Sequence, residues 1–324
     1  MPFSFSVWQP FRSAIFRVRI VRITAIALAM VFVASGPLVS NQLRAAQNDD
    51  EEDKPLPPEE ISLRTRDDVP LKATYYPSKL GKEAVPVVML HAARGVRGDF
   101  TALALRLQEV GHAVLAPDLR GHGDSATRSN QREFGLRRTD LAAMVTQDLE
   151  AVKSFLVDRN NDGELNIEKL CVIGLEMGSV VALNFAARDW SWPRLAIGKQ
   201  GQDVKALVLV SPVWSYRGLR INEAVTHPSI QREVSVIVIT GKGGAKELRE
   251  AKRLYSTLER FHPPPAPEDA ATQQMIWLRA LPTTLQGTQL IQQKRLGVAE
   301  MIESFIKLRL TDVDLPWQKR ARAL

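Results

Sequence analysis

The sequence predicts an α/β fold: a mostly parallel central sheet, opened by an antiparallel hairpin and covered by helices on both faces. Three observations carry this. Runs such as "VPVVMLHA" (85–92), "VKALVLVSP" (204–212) and "VSVIVITG" (234–241) are apolar throughout, as strands buried on both faces are. The stretches between them have helical periodicity, the alternation that builds parallel sheets. The first segment, "ISLRTRDDVPLKATYYP" (61–77), instead alternates apolar and polar residues around the turn Asp67-Asp68, which marks a hairpin.

The remaining elements follow in order. "DFTALALRLQEVG" (99–111) is a helix with a glycine stop, and "HAVLAPDL" (112–119) a strand. "TDLAAMVTQDLEAVKSFLVDR" (139–159) reads as one long helix capped by Thr139 or Asp140. "KLCVIGL" (169–175) and "SVVALNFAARD" (179–189) form a strand–turn–helix unit. "KELREAKRLYSTLERF" (246–261) is helical, "HPPPAPEDAA" (262–271) a surface loop, "MIWLRAL" (275–281) the last strand and "AEMIESFIKLRL" (299–310) the last helix.

Domain boundaries come from composition. Residues 1–46 hold five arginines (12, 17, 19, 22 and 44) and no acid, so removing them takes the net charge from +7 to 7 − 5 = +2. The uncharged run Ile23–Val39 and the small residues Ala45 and Ala46 mark an export signal, or a membrane anchor through 23–39 if it is not cut. The protein is therefore expected to be exported, periplasmic or secreted. Residues 47–60 read as an acidic, proline-rich linker, 61–312 as the folded domain and 313–324 as a tail. No basic patch with interleaved aromatics follows the leader, which argues against nucleic acid as a partner and leaves a small molecule or a protein. The single cysteine, Cys171, excludes an internal disulfide and reads as an inert buried thiol.

Three motifs bear on chemistry: "LHAARG" (90–95), "DLRGHGDS" (118–125) and "GLEMG" (174–178), each just after a strand. In order and spacing the chain resembles the α/β-hydrolase fold family over about residues 61–310, in its serine esterase, monoacylglycerol-lipase-like and proline-type aminopeptidase-like branch. The resemblance implies a nucleophile on the sharp turn after the fifth strand, then an acid, then a histidine. The turn keeps Gly174 and Gly178, but Glu176 stands at the nucleophile position. The acid turn reads "GKGGAKE", whose first carboxylate, Glu247, belongs to the following helix. The alternative acid position offers Val213, Trp214 and Ser215. No histidine follows His262. The oxyanion-hole amides implied by the resemblance are Ala93 and Met177, with Ala92 where glycine is usual.

At a helix N-terminus Glu176 is expected to be ionised, which would repel a developing oxyanion. Haloalkane dehalogenases and epoxide hydrolases place an aspartate at this elbow, but they still require a histidine. Arg94, on the bordering loop, is the expected ion-pair partner of Glu176. The reading is a non-catalytic binding or scaffold protein; the alternative is a diverged hydrolase of ester, amide or related small substrates that uses Glu176.

Other candidates are weaker. "DRNNDGELNIEK" (158–169) matches a calcium loop at Asp158, Asn160, Asp162, Gly163 and Asn166, but Lys169 replaces the final glutamate, so a polar turn is expected. His91, His112, His122, His227 and His262 lack metal spacing, and only His227 has a chance of reaching the site. Ser125 and Ser211 lie at strand ends with nothing nearby in sequence to activate them. No nucleotide motif is present, so neither a cofactor nor a metal is expected.

Overall fold

The computed structural model describes residues 54–126, 136–193, 198–262, 265, 266, 269 and 273–320. The leader at 1–46 and most of the proline-rich loop at 262–271 lie outside them. Strands β1 (Glu59–Arg64) and β2 (Pro70–Tyr76) pair antiparallel, with Ile61 opposite Ala73. Next come β3 (Pro86–Leu90), helix α1 (Thr101–Glu109) and β4 (Ala113–Pro117). Helices α2 (Arg138–Ala143) and α3 (Leu149–Asn161) flank a π-turn at Met144–Asp148. They lead to β5 (Leu170–Leu175), α4 (Met177–Ser191) and β6 (Val204–Val210). A short hairpin, β7 (Ser215–Tyr216) and β8 (Leu219–Arg220), precedes α5 (Asn222–Thr226) and α6 (Pro228–Arg232). Finally come β9 (Ser235–Gly241), α7 (Ala245–Glu259), β10 (Ile276–Leu281), α8 (Gly287–Gln292) and α9 (Val298–Ile306).

The large sheet runs β1-β2-β4-β3-β5-β6-β9-β10. β2 meets β4 antiparallel, and every pair from β4 to β10 is parallel. Successive residues of the buried strands feed opposite faces, as the period of two requires. Val88, Leu90, Val172, Leu207 and Leu209 pack with α3, α4 and α7. Val87, Met89, Cys171, Ile173 and Val208 pack with α1, α8 and α9. Each such side chain contributes roughly 1.5–3 kcal/mol by leaving water, so the apolar runs are what commit the chain to two covered faces. No helix among the described residues is long and apolar enough to cross a membrane.

Four features depart from the pattern. The sheet begins at Glu59, so the residues read as the end of a linker are strand. Their acids have partners: Glu59 accepts from Arg159 at 2.8 Å, and Glu60 accepts from Thr74 at 2.6 Å and Arg97 at 2.9 Å. The helix read over 139–159 contains the π-turn, and its cap is Arg137, whose N–H donates to Asp140 at 2.7 Å. The π-turn brings the fully buried Asp148 to the backbone and guanidinium of Arg120, at 2.9 and 2.8 Å. β7, β8, α5, α6 and α8 were too short to show periodicity. Residues 313–320, read as a tail, are instead docked: Trp317 donates to the Asn160 carbonyl, and Arg320 is buried.

Candidate active site at the strand–helix elbow

The turn between β5 and α4 is built by close approach. A Cβ on Gly174 would stand 2.5 Å from the Gly178 carbonyl oxygen, and one on Gly178 would stand 2.8 Å from the His91 carbonyl oxygen. Neither gap admits a side chain, so both glycines are needed for the helix to sit on the sheet. Between them Glu176 adopts φ 48°, ψ −106°, a left-handed conformation that costs a non-glycine residue about 1–3 kcal/mol. Its N–H donates to the Val210 carbonyl at 3.0 Å, and its carbonyl accepts from Ser179 N–H at 3.0 Å. The strained residue is thus held from both sides.

The elbow aims the Glu176 side chain away from the helix. Its carboxylate caps no N–H of α4. It lies against Gly287 instead: a Cβ at 287 would overlap Oε1 and stand 2.9 Å from Cδ. Gly287, the first residue of α8 after the last strand, has φ +50°. Burial first, then the nearby Glu247 carboxylate, hold the Glu176 pKa above its ordinary value. The gain expected from the helix N-terminus is not seen as a hydrogen bond: no N–H of α4 bonds the carboxylate, and burial works against its ionised form.

The expected partner is also elsewhere. Arg94 is exposed on the tight turn closed by Gly95 N–H and the Ala92 carbonyl at 2.9 Å, and it forms no ion pair with Glu176. Arg97, three residues on, turns inward to pair with Asp118, Glu60 and Asp124. Among the described residues, then, the Glu176 carboxylate has no hydrogen-bond or ion-pair partner. The amides of Ala93 and Met177 likewise donate to no protein group there.

None of the five histidines bonds to Glu176. His91 accepts from Leu119 N–H through Nε2 at 3.1 Å, which leaves Nδ1 to donate to the Ala92 carbonyl at 2.8 Å. Burial and the neighbouring His122 ring, 4.7 Å away between centroids, push its pKa down to about 4, so it braces the loop as a neutral ring. His122 faces the carbonyls of Arg120 and Ala93. His112 is buried at the start of β4. His227 caps α6 by accepting from Ser229 N–H, and its Nε2 meets Ser191 at 3.2 Å. Ser191 ends α4, about 20 Å from the elbow at 1.5 Å per residue, so His227 does not reach Glu176. His262 follows α7, its N–H bonded to the Glu259 carbonyl.

These features match a known family. The model of the alpha/beta hydrolase family matches residues 87–317, which include the elbow, both faces of the sheet and the loop after β10. The chain belongs to the alpha/beta hydrolase family. A search of curated proteins finds no match. Among solved structures, it is similar to a dienelactone hydrolase from Anabaena variabilis, at 17% identity over 78% of this chain and 99% of that one, TM-score 0.52. A thermostable carboxyl esterase from Bacillus coagulans matches at 13% over 79% and 99%, TM-score 0.55. An alpha/beta hydrolase from Penicillium matches at 12% over 79% and 99%, TM-score 0.56. At such identities the likeness bears on the fold alone.

In this alpha/beta hydrolase the ends of β6, β9 and β10 are tied by one side chain that sequence reading passed over. Gln286 Oε1 accepts from Ser211 Oγ at 2.7 Å and from Thr240 Oγ1 at 3.1 Å, and Nε2 donates to the Gly241 carbonyl at 3.0 Å. Ser211, fully buried at φ 48°, also accepts from Gly287 N–H at 2.9 Å. Gln286 thereby fixes Gly287 against Glu176. Ser125, the other strand-end serine, donates to the Asp118 carbonyl and accepts from Lys72 N–H. The signal for Gln286 was slight: one amide beside one glycine after the last strand. No group of three or more His, Cys, Asp or Glu side chains that could hold a metal occurs among the described residues.

Proposed function

We propose that this alpha/beta hydrolase is a non-catalytic binding or scaffold protein. One observation carries the reading: Glu176, at the elbow, leans into the space beside Gly287, after the last strand, where the family's histidine is expected, and no histidine bonds to it. A carboxylate nucleophile needs a base to activate the water that would release its ester. The ligand is a small molecule or a protein. The leader at 1–46 supports export, with or without retention of 23–39 as an anchor. If the leader is cut after Ala46, N-terminal sequencing of the exported protein starts at Gln47; recovery only inside the cell would sink the export proposal.

A second reading has its own support. A half-buried carboxyl with a raised pKa, on a strained elbow residue and acted on by a second carboxylate, is the pattern of a tuned acid. That reading is a diverged hydrolase of ester, amide or related small substrates. A panel of short acyl esters separates the two. We expect neither the parent nor Glu176→Gln to exceed background; turnover in the parent that vanishes in the variant establishes the enzyme.

A further inference from the structure

The calcium-loop-like segment found in the sequence has another use. Three of its asparagines grip the main chain of the C-terminal segment. Asn166 Nδ2 donates to the Leu315 carbonyl at 2.8 Å, and Asn160 Nδ2 to the Gln318 carbonyl at 3.0 Å. Asn161 bonds to both main-chain groups of Arg320, donating to its carbonyl at 3.0 Å and accepting from its N–H at 2.7 Å. The gripped segment has no helix or strand, and Pro316 denies it the N–H of one position. Side-chain amides that read backbone groups along a non-regular segment are how a peptide is recognised irrespective of most of its side chains.

Two side chains of the segment are read individually. The Trp317 indole donates to the Asn160 carbonyl at 3.1 Å and lies 4.1 Å beneath the Lys82 ammonium. Arg320 enters a buried charge cage, meeting Glu168 at 2.5 Å and also Asp203. The cage holds Glu168, Asp189 and Asp203 against Lys153, Lys199 and Arg320, each cation within ion-pair distance of a carboxylate. Lys205 adds a further positive charge near the same three carboxylates, and Arg320 is the cation that the C-terminal segment contributes. Without it Glu168 keeps, among the described residues, only Lys199, an ammonium that Asp203 also shares, so the pairing at this end of the cage is thinned. One guanidinium nitrogen, Nη2, meets both carboxylates, while Nη1 donates to the Lys199 carbonyl at 3.0 Å, so the planar group reads charge and main chain together.

We propose that the asparagine row and the Glu168–Asp203 end of the cage form a recognition site for an arginine-bearing peptide segment, occupied by the chain's own residues 315–320 as a releasable strap.

Two variants and one probe test this on the full chain. Arg320→Ala empties the latch, and Asn161→Ala removes the main-chain grip while leaving the cage charges intact. Both are expected to raise hydrogen exchange at residues 317–320 by at least about tenfold, and Asn161→Ala to do so with β5 and β6 unchanged. A labelled peptide of sequence VDLPWQKRARAL, residues 313–324, is expected to bind Arg320→Ala saturably and to ignore the parent, whose site is filled. The same peptide with alanine for Arg320 is expected to bind neither. Exchange that stays at parental rates in both variants overturns the proposal. So does exchange that rises equally through β5 and β6 in Asn161→Ala, which would make the segment part of the core. Peptide binding to parent and variant alike, or to neither, overturns it as well.

Discussion

Both edges of the parallel sheet carry carboxylates out of water, and they treat them in opposite ways. At the amino edge, before β5 and β6, Glu168, Asp189 and Asp203 are each matched to a cation. Asp189 also accepts from the N–H groups of Asp203 and Val204, at 2.6 and 3.0 Å. At the carboxyl edge Glu176 has neither cation nor donor among the described residues, and the charge that acts on it is another carboxylate, Glu247. The paired edge is architecture. A half-buried carboxyl on a strained residue with nothing to neutralise it works against stability.

The largest expected effect lies in the paired edge. Lys153→Met leaves Asp189 and Asp203 facing each other without their shared ammonium. Loss of one partner of such a buried network costs about 3–5 kcal/mol, read from the midpoint of urea unfolding. A loss under about 1 kcal/mol, the range of exposed pairs, would break the comparison.

Gly287→Ala is the next test, because it asks whether Glu176 has a defined seat. The new Cβ overlaps Oε1 and the backbone sits at φ +50°, so strain and overpacking together cost about 2–3 kcal/mol. In Glu176→Ala/Gly287→Ala the overlap is gone and only the backbone strain is expected to remain, so the double variant is more stable than Gly287→Ala alone. If the two changes simply add, the carboxylate does not rest on Gly287.

Glu176→Gln has the smallest effect and a definite sign. The folded protein holds the Glu176 proton more tightly than the unfolded chain does. The contribution of this residue is therefore fully present below its ordinary pKa of about 4.5 and is lost as pH rises through the raised folded value. Glutamine keeps the neutral form at every pH. Stability curves of parent and variant should coincide in acid and separate above that window, with the variant the more stable at neutral pH. Parallel curves across the range would mean that Glu176 is as well solvated as a surface acid.

The elbow was legible because its requirements are local. Gly174 and Gly178 are spaced for one turn, and the apolar runs on either side announce strand and helix. The three motif loops could be ordered for the same reason. Arg94 and Arg97 show the limit: both lie on one loop three residues apart, and only the turn at Ala92–Gly95 decides that Arg94 faces water while Arg97 finds Asp118. Gln286 was invisible because its partners, Ser211, Thr240 and Gly241, come from two other strands.

By itself the sequence determined the order of strands and helices, the two covered faces, the glycine-bounded elbow and the glutamate standing in it. Periodicity and close approach act over a few residues, and a chain records them in order. The tertiary structure alone decided that the Glu176 carboxylate rests against Gly287 without capping α4, and that Arg320 joins a cage built from residues 153 to 203. It also gave the asparagines of an apparent calcium loop to the C-terminal segment. Each of these is a pairing of groups far apart in the chain, and such pairings exist only once the sheet has brought its edges together.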